Sequence, residues 1–272
     1  MAGTYDIDGK VAIVTGGTRG IGLAIARDLA KRGAMLVVAG VRPAGAEAVA
    51  RLNEDAGRAA AVFRQCDVAS PDELYALIDF AVEHYGRLDI LVNNAGILDV
   101  PYQDDPTGSH NRKVLDVGAR AMIDGTTHAL RIWDRDPDAR GVVVNVASVA
   151  AYMPVPYLPI YAASKAATVG FTKAMAGLAP KVRINAIAPA WVDTDMADTP
   201  HITRDHFSIQ QLGLLTVEET AAQAIRAIED ESLAGDVIIV LRGEEPRICR
   251  SPKGTSSLEE IAEKNLSPPQ AA

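Results

Sequence analysis

Val11-Ala12-Ile13-Val14-Thr15-Gly16-Gly17-Thr18-Arg19-Gly20-Ile21-Gly22 decides how this chain folds. Val11 to Val14 are apolar without interruption, the habit of a strand buried on both faces in a parallel sheet. Glycines follow at once. Apolar residues then recur at helical spacing (Ile21, Ala24, Ile25, Leu29) until Gly33 closes the run. A second apolar run over 35–39 completes a strand–helix–strand unit. The alternation continues outward. Helices are expected over 44–55, 71–85, 111–133, 161–178 and 217–229, and strands over 59–66, 88–92, 142–146, 182–187 and 237–241. About seven strands with helices between them predict an α/β fold, a doubly wound parallel sheet of Rossmann type in a single domain.

No composition break or internal repeat divides the pattern, so residues 1–245 read as one dinucleotide-binding unit. Residues 191–216, rich in Asp, Thr and His, are too many for a plain connection and follow a strand's C-terminal end, where a substrate lid belongs. The tail, 246–272, carries Pro246, Pro252, Pro268 and Pro269 and a short helical pattern at 258–264; it is expected to be disordered or to contact a partner.

The 272 residues are 48% hydrophobic, enough for a sizeable core and too many for a disordered chain. A formal charge of −8, with no run of Lys or Arg, argues against nucleic acid and anionic membrane as partners. A small-molecule substrate fits better. Two cysteines, Cys66 and Cys249, are too few for a disulfide framework or a zinc site. His84, His110, His128, His201 and His206 make no metal-binding pattern, so no metal is expected. No stretch approaches the roughly 20 apolar residues of a membrane span, and the cytoplasm is the expected location.

Gly16, Thr18, Arg19, Gly20, Ile21 and Gly22 lie in a TGxxxGxG turn between strand and helix, where backbone N–H groups can meet a pyrophosphate. A carboxylate at the end of the second strand would bind the adenosine ribose and repel a 2′-phosphate. This chain has Ala39-Gly40-Val41-Arg42 there, and Arg19 and Arg42 are suited to a phosphate, so NADP(H) is favoured over NAD(H). Asp67 follows the third strand, where its carboxylate can accept from an adenine amino group. Asn94, Ala95 and Gly96 close the fourth strand with groups that allow close approach.

Tyr161-Ala162-Ala163-Ser164-Lys165 sets a phenol and an ammonium on one helix face. The ammonium is expected to favour the phenolate and draw the tyrosine pKa down, making Tyr161 a general acid or base. Ser148, where a strand gives way to loop, is placed to hold the same substrate oxygen. Tyr152, Met153, Val155, Tyr157 and Leu158, with Trp191 and Met196, are candidates for an apolar pocket wall, and His206 for a lid contact.

Together, TGxxxGxG, Asp67-Val68, Asn93-Asn94-Ala95-Gly96, Ser148, YxxxK and Ile187-Ala188-Pro189-Ala190-Trp191-Val192-Asp193-Thr194 resemble the short-chain dehydrogenase/reductase family, in its motif order, over about residues 8–241. The resemblance implies that Tyr161 gives or takes the proton, Lys165 binds the nicotinamide ribose and lowers the tyrosine pKa, and Ser148 positions the carbonyl or alcohol. It assigns the nicotinamide end to Pro189, Val192 and Thr194, and the adenosine half to Asp67, Val68 and Asn94. The activity implied is NADP(H)-dependent reduction of a carbonyl, or oxidation of a secondary alcohol, on a mainly apolar small molecule. The alternatives are an NAD-dependent alcohol dehydrogenase of the same family and a nucleotide-binding regulator or scaffold without catalysis. The second is motivated by Gly118, which stands where the family has an asparagine shaping a helix kink and holding a water near the lysine. The family's Pro-Gly after the sixth strand is Pro189-Ala190, a mild change unless position 190 needs positive φ. A glycine pair used in tetramer packing is missing after 237–241, so the homo-oligomer implied is a dimer or a tetramer.

Overall fold

Strand β1 (Val11–Val14) is the centre of the molecule, and all four of its residues are buried. Val11 and Ile13 point into one apolar layer and Ala12 and Val14 into the other, which is why the run has no polar alternation. A computed structural model gives the structure, describing residues 3–251. The helical pattern at 258–264 and the prolines at 252, 268 and 269 lie outside the described residues.

The sheet continues through β2 (Met35–Gly40), β3 (Ala61–Gln65), β4 (Ile90–Asn93), β5 (Gly141–Val146), β6 (Val182–Pro189) and β7 (Val237–Val240). Its order is β3-β2-β1-β4-β5-β6-β7-β8, parallel as far as β7. The eighth strand, β8 (Arg247–Cys249), corrects the expectation of seven: it runs antiparallel to β7 inside the segment read as tail. Three residues after a proline give no readable periodicity, and this strand is fixed from outside itself. The buried Asp236 carboxylate accepts from Ser251 N at 2.8 Å and from Arg250 Nη1 at 2.9 Å.

One face of the sheet packs on α1 (Gly20–Lys31), α2 (Gly45–Ala56) and α8 (Val217–Glu229), through Ile25, Leu29, Leu52, Ile225 and Ile228. The other packs on α3 (Pro71–Tyr85) and α5 (Ala121–Trp133), through Leu74, Ile78 and Trp133. The helix expected over 111–133 is interrupted: α4 (Ser109–Leu115) passes into a π-helical turn at Asp116–Arg120 before α5 begins. Gly118 is the middle of that turn, where a weak helix former lets the hydrogen-bond ladder slip by one residue. Helix α6 (Pro159–Ala174) starts two positions before the tyrosine, with Pro159 in its first turn, and a separate 3₁₀ turn, Ala176–Leu178, ends it. The 191–216 segment holds a 3₁₀ turn, Asp195–Ala197, and α7 (Phe207–Leu212), and a Val192–Leu215 bridge closes its base. No helix among the described residues is long and apolar enough to cross a membrane.

Candidate active site

The strand order reverses between β1 and β4, the place where an open parallel sheet leaves a crevice beyond its strand ends. A cleft of about 630 Å³ opens there. The Thr15 hydroxyl ties its floor together, accepting from Asn94 N at 3.0 Å and Ala95 N at 3.2 Å, while Asn94 Nδ2 donates to Thr15 O at 2.9 Å and Gly16 O at 3.1 Å. Gly20 has φ +53°, and a Cβ there would stand 3.1 Å from Thr194 Cγ2, so the turn needs glycine on two counts. Helix α1 has no side-chain cap at Arg19, whereas α8 carries a full capping box from Thr216 and Glu219. The α1 amides thus face the cleft without a side-chain partner. A phosphate group fits this cradle by charge and by donor geometry.

Toward the ribose end, a Cβ at Gly40 would lie 2.9 Å from Thr18 Oγ1, so an acidic side chain has no room at the end of β2 unless Thr18 moves. Arg42 lines the cleft, as does Arg19, but Arg19 is held at 2.8 Å by Asp195 across the opening. Asp67 is also engaged. Burial pushes its carboxyl up, but the Lys113 ammonium at 2.8 Å and the Ala69 N–H more than offset this and hold it below the usual carboxylate range.

The catalytic candidates converge on the opposite wall. Lys165, 4% exposed, donates from Nζ to Val146 O at 2.6 Å and stands 5.5 Å from the centre of the Tyr161 ring. Ser148 hydrogen-bonds the Tyr161 phenol and also accepts from Ala150 N at 3.2 Å. The expectation of an acidified tyrosine is overturned in the protein alone. Burial raises the Tyr161 pKa to about 12; the Ser148 hydrogen bond lowers it and the Asp99 carboxylate raises it. Burial also brings Lys165 down to about 8. Low polarity around two neighbouring groups penalises both charges, and here that outweighs their attraction. Beneath them, Asn93 Nδ2 donates to Asn145 Oδ1 and Asn145 Nδ2 to Thr172 Oγ1, both at 2.9 Å, a buried polar ladder locking β4, β5 and α6 in register.

A short chain dehydrogenase family profile matches residues 10–204. This chain belongs to the short-chain dehydrogenase/reductase family. Human 15-hydroxyprostaglandin dehydrogenase (NAD(+)) is 34% identical over 249 residues, 85% of this chain and 91% of that one. Momilactone A synthase of Oryza sativa subsp. japonica is 33% identical over 237 residues, 82% and 84% of the two chains. Among solved structures, a variant of actinorhodin polyketide ketoreductase with NADPH superposes with a TM-score of 0.76 at 30% identity, covering 86% of this chain and 96% of its own. A short-chain alcohol dehydrogenase structure from Sinorhizobium meliloti 1021 gives 0.77 at 29% identity, covering 86% and 96%. As a short-chain dehydrogenase/reductase, the protein is an NAD(P)-dependent oxidoreductase acting on CH–OH and C=O groups.

Two departures from the family pattern find structural accounts. Ala190 needs no special backbone, since no non-glycine residue among those described has positive φ. Gly118 keeps the carbonyl of the kink, which accepts from Thr168 Oγ1 at 3.3 Å. Beside it a cavity of about 10 Å³, lined among others by Gly118, Lys165, Thr168 and Asn93, has room for one water. The missing side chain has a neighbour in its place: a Cβ at 118 would lie 2.8 Å from Ser164 Oγ.

Of the catalytic, cofactor and pocket candidates singled out from the sequence, all but three line the cleft: Tyr152, which is exposed, Gly22 and His206 do not. Gly22 packs inside the turn, its would-be Cβ running into Asn94 Nδ2 and Gly16 O. His206 stands behind the wall: its ring centre lies 4.4 Å from that of Tyr157 with the planes tilted by 55°, and its Nδ1 meets Ser208 Oγ at 2.9 Å. The same Ser208 oxygen accepts from Tyr157 OH at 2.8 Å and Trp191 Nε1 at 3.0 Å, pinning α7 to the pocket wall. Sequence reading missed Ser208, Leu98 and Lys113, all of which line the cleft. Lys113 had a readable signal, being a basic residue five positions before Gly118, where the family's asparagine is replaced. Ser208 had none, because its role exists only once α7 folds back on Trp191.

Proposed function

We propose that the protein is an NADP(H)-dependent carbonyl reductase or secondary alcohol dehydrogenase for a neutral, mainly apolar molecule such as a ketone, polyketide, steroid or terpenoid. The observation that carries this is the meeting of Ser148, Tyr161 and Lys165 on one wall of a cleft whose far end is the glycine turn. When bound, the nicotinamide supplies or accepts the hydride. Tyr161 transfers the proton at the substrate oxygen, Ser148 hydrogen-bonds that oxygen as charge grows on it, and Lys165 supplies the positive charge that favours the oxyanion. A phenol raised to about 12 is protonated at any working pH, which suits it to donate in carbonyl reduction. Leu98, Val155, Tyr157, Leu158, Trp191 and Met196 give the substrate end an apolar lining, and the relatives named for a hydroxyprostaglandin, a momilactone and a polyketide support a large, hydrocarbon-rich substrate.

The preference for the 2′-phosphate rests on Gly40, which excludes a carboxylate, and on Arg42 and Arg19. The Arg19–Asp195 pair is exposed, 59% and 80% at the two side chains, and an incoming phosphate displaces it at little cost. That pair is also the observation favouring the second reading, NAD(H), since it occupies one of the two arginines. Residues 191–216 are read as the lid of a domain that runs on through β8, and the working form as a cytosolic homo-oligomer, dimer or tetramer. The deciding experiment is a panel of ketones with NADPH and NADH, followed by absorbance. Tyr161→Phe is expected to remove nearly all turnover while NADPH affinity stays within a few-fold; a variant that keeps its turnover ends the proposal.

A further inference from the structure

The first turn of α6 has no cap of its own: Leu158, at the N-cap position, offers no side-chain acceptor, and Pro159 leads the helix. Two of its free amides are answered from another part of the chain. Ile160 N donates to Asp99 Oδ2 and Tyr161 N to Asp99 Oδ1, each at 2.8 Å. Asp99 is 6% exposed and lies on the loop after β4, three positions beyond Gly96 of the cleft floor. That loop is itself held still. His110 Nε2 meets Leu98 O at 2.8 Å, and Asn111 clamps Val100 through both its N–H and its carbonyl at 3.0 Å. A buried carboxylate on a fixed loop, spent on the backbone of the proton-transferring residue, goes beyond what capping a helix requires, since a serine would serve at the surface.

We propose that Asp99 is a positioning residue for catalysis: it fixes the Tyr161 end of α6 to the β4 loop and supplies the negative charge against which the Tyr161 hydroxyl gives up its proton. The inference rests on the reading of Tyr161 as the proton donor and acceptor. The groups acting on the phenol are Ser148 from the end of β5, Lys165 on its own helix, and Asp99. Several charges on the other elements packed against α6 are paired away from the phenol. Lys113 of α4 pairs with Asp67, Asp116 and Arg120 of the π-helical turn pair with each other, and Arg183 of β6 caps α8 through the carbonyls of Ala227, Ile228, Asp230 and Leu233. Asp99 is thus the carboxylate the phenol works against, and its charge adds to burial in keeping Tyr161 protonated.

The test compares Asp99→Asn and Asp99→Ala with the full chain by two readouts. In hydrogen exchange without substrate, the Ile160 and Tyr161 amides exchange about tenfold faster in Asp99→Ala, the effect of losing one hydrogen bond each. Asp99→Asn, of the same shape, retains an acceptor for only one of them. In oxidation of the best secondary alcohol of the panel, both variants move the acid limb of the rate profile down by about one pH unit, since removing a nearby negative charge eases phenol ionisation. A purely structural cap leaves that limb in place. Profiles superimposable on the unaltered protein's, or unchanged exchange at 160 and 161, overturn the proposal. Should no alcohol be oxidised at all, the reaction assigned to the cleft fails, and amide exchange still decides whether Asp99 holds the helix. If Asp99→Ala does not fold, Asp99→Asn alone carries both readouts.

Discussion

Lys165→Met should make the protein more stable at neutral pH while removing its activity. The ammonium is taken out of water with Val146 O as its hydrogen-bond acceptor, and burial lowers its pKa from an ordinary 10.5 to about 8. A depressed ammonium pKa means that the folded state resists the charged form. Below pH 8 the penalty is present in full; it fades as pH rises from 8 toward 10.5, where the unfolded chain also loses the proton. A difference of that size corresponds to about 3 kcal/mol against folding. Methionine matches the lysine stem in length and shape and carries no charge, at the loss of one charged hydrogen bond of about 1–2 kcal/mol. The net gain is therefore about 1–2 kcal/mol at pH 7, or roughly 3–5 °C in Tm for a chain of this size. Thermal and urea unfolding of both proteins, measured from pH 6.5 to 10, checks it through the pH dependence. The gap between variant and parent should be widest below pH 8 and close as the parent gains stability above it. A methionine variant that is less stable at pH 7, or a gap that does not change with pH, refutes the claim that this ammonium is held against its own desolvation.

Gly118→Asn, the change that would restore the family residue, should by itself cost about 1–3 kcal/mol of stability without raising turnover, because its Cβ meets Ser164 Oγ at 2.8 Å. Urea unfolding of Gly118→Asn beside Gly118→Asn/Ser164→Ala tests this, the double variant recovering most of the loss. Arg42→Ala should weaken NADPH about tenfold or more in a fluorescence titration while leaving NADH nearly unchanged, the signature of a lost charge-assisted bond to the 2′-phosphate; equal losses for both cofactors would remove the case for NADP(H).

The strands and most of the helices were legible because buried parallel strands and amphipathic helices leave unmistakable periods, as 11–14 and 217–229 do. The glycine turn, Ser148, Tyr161 and Lys165 were legible because their chemistry depends on local spacing. What the sequence hid depends on distant partners. Strand β8 exists because a buried Asp236 holds Arg250 and Ser251. Arg19 is engaged because Asp195, far along the chain, folds over it. The shift in Tyr161 went the other way from expectation because a helical spacing of four reports the proximity of Lys165 but says nothing of how much water either group keeps. Asp99 escaped notice for the same reason: an aspartate after Ile97-Leu98 looks like any loop residue until the start of α6 is brought beside it.

The two shifted groups also bear on the direction of the chemistry. In the free protein the phenol is raised and the ammonium lowered, so the pair rests with the proton on Tyr161, the form that donates. Working the reaction backward needs the phenolate, and at pH 7 a phenol of pKa about 12 supplies roughly one molecule in a hundred thousand. Alcohol oxidation at useful rates then requires positive charge brought against Tyr161, and Lys165 provides it only while protonated, below about pH 8. Oxidation is consequently squeezed from both sides, losing phenolate as pH falls and ammonium as it rises, whereas reduction needs only the form already present. Rates measured in both directions across pH should therefore give a broad plateau for reduction and a narrow maximum for oxidation. Asp99→Asn should widen that maximum on its acid side, because it removes the carboxylate that keeps the proton in place.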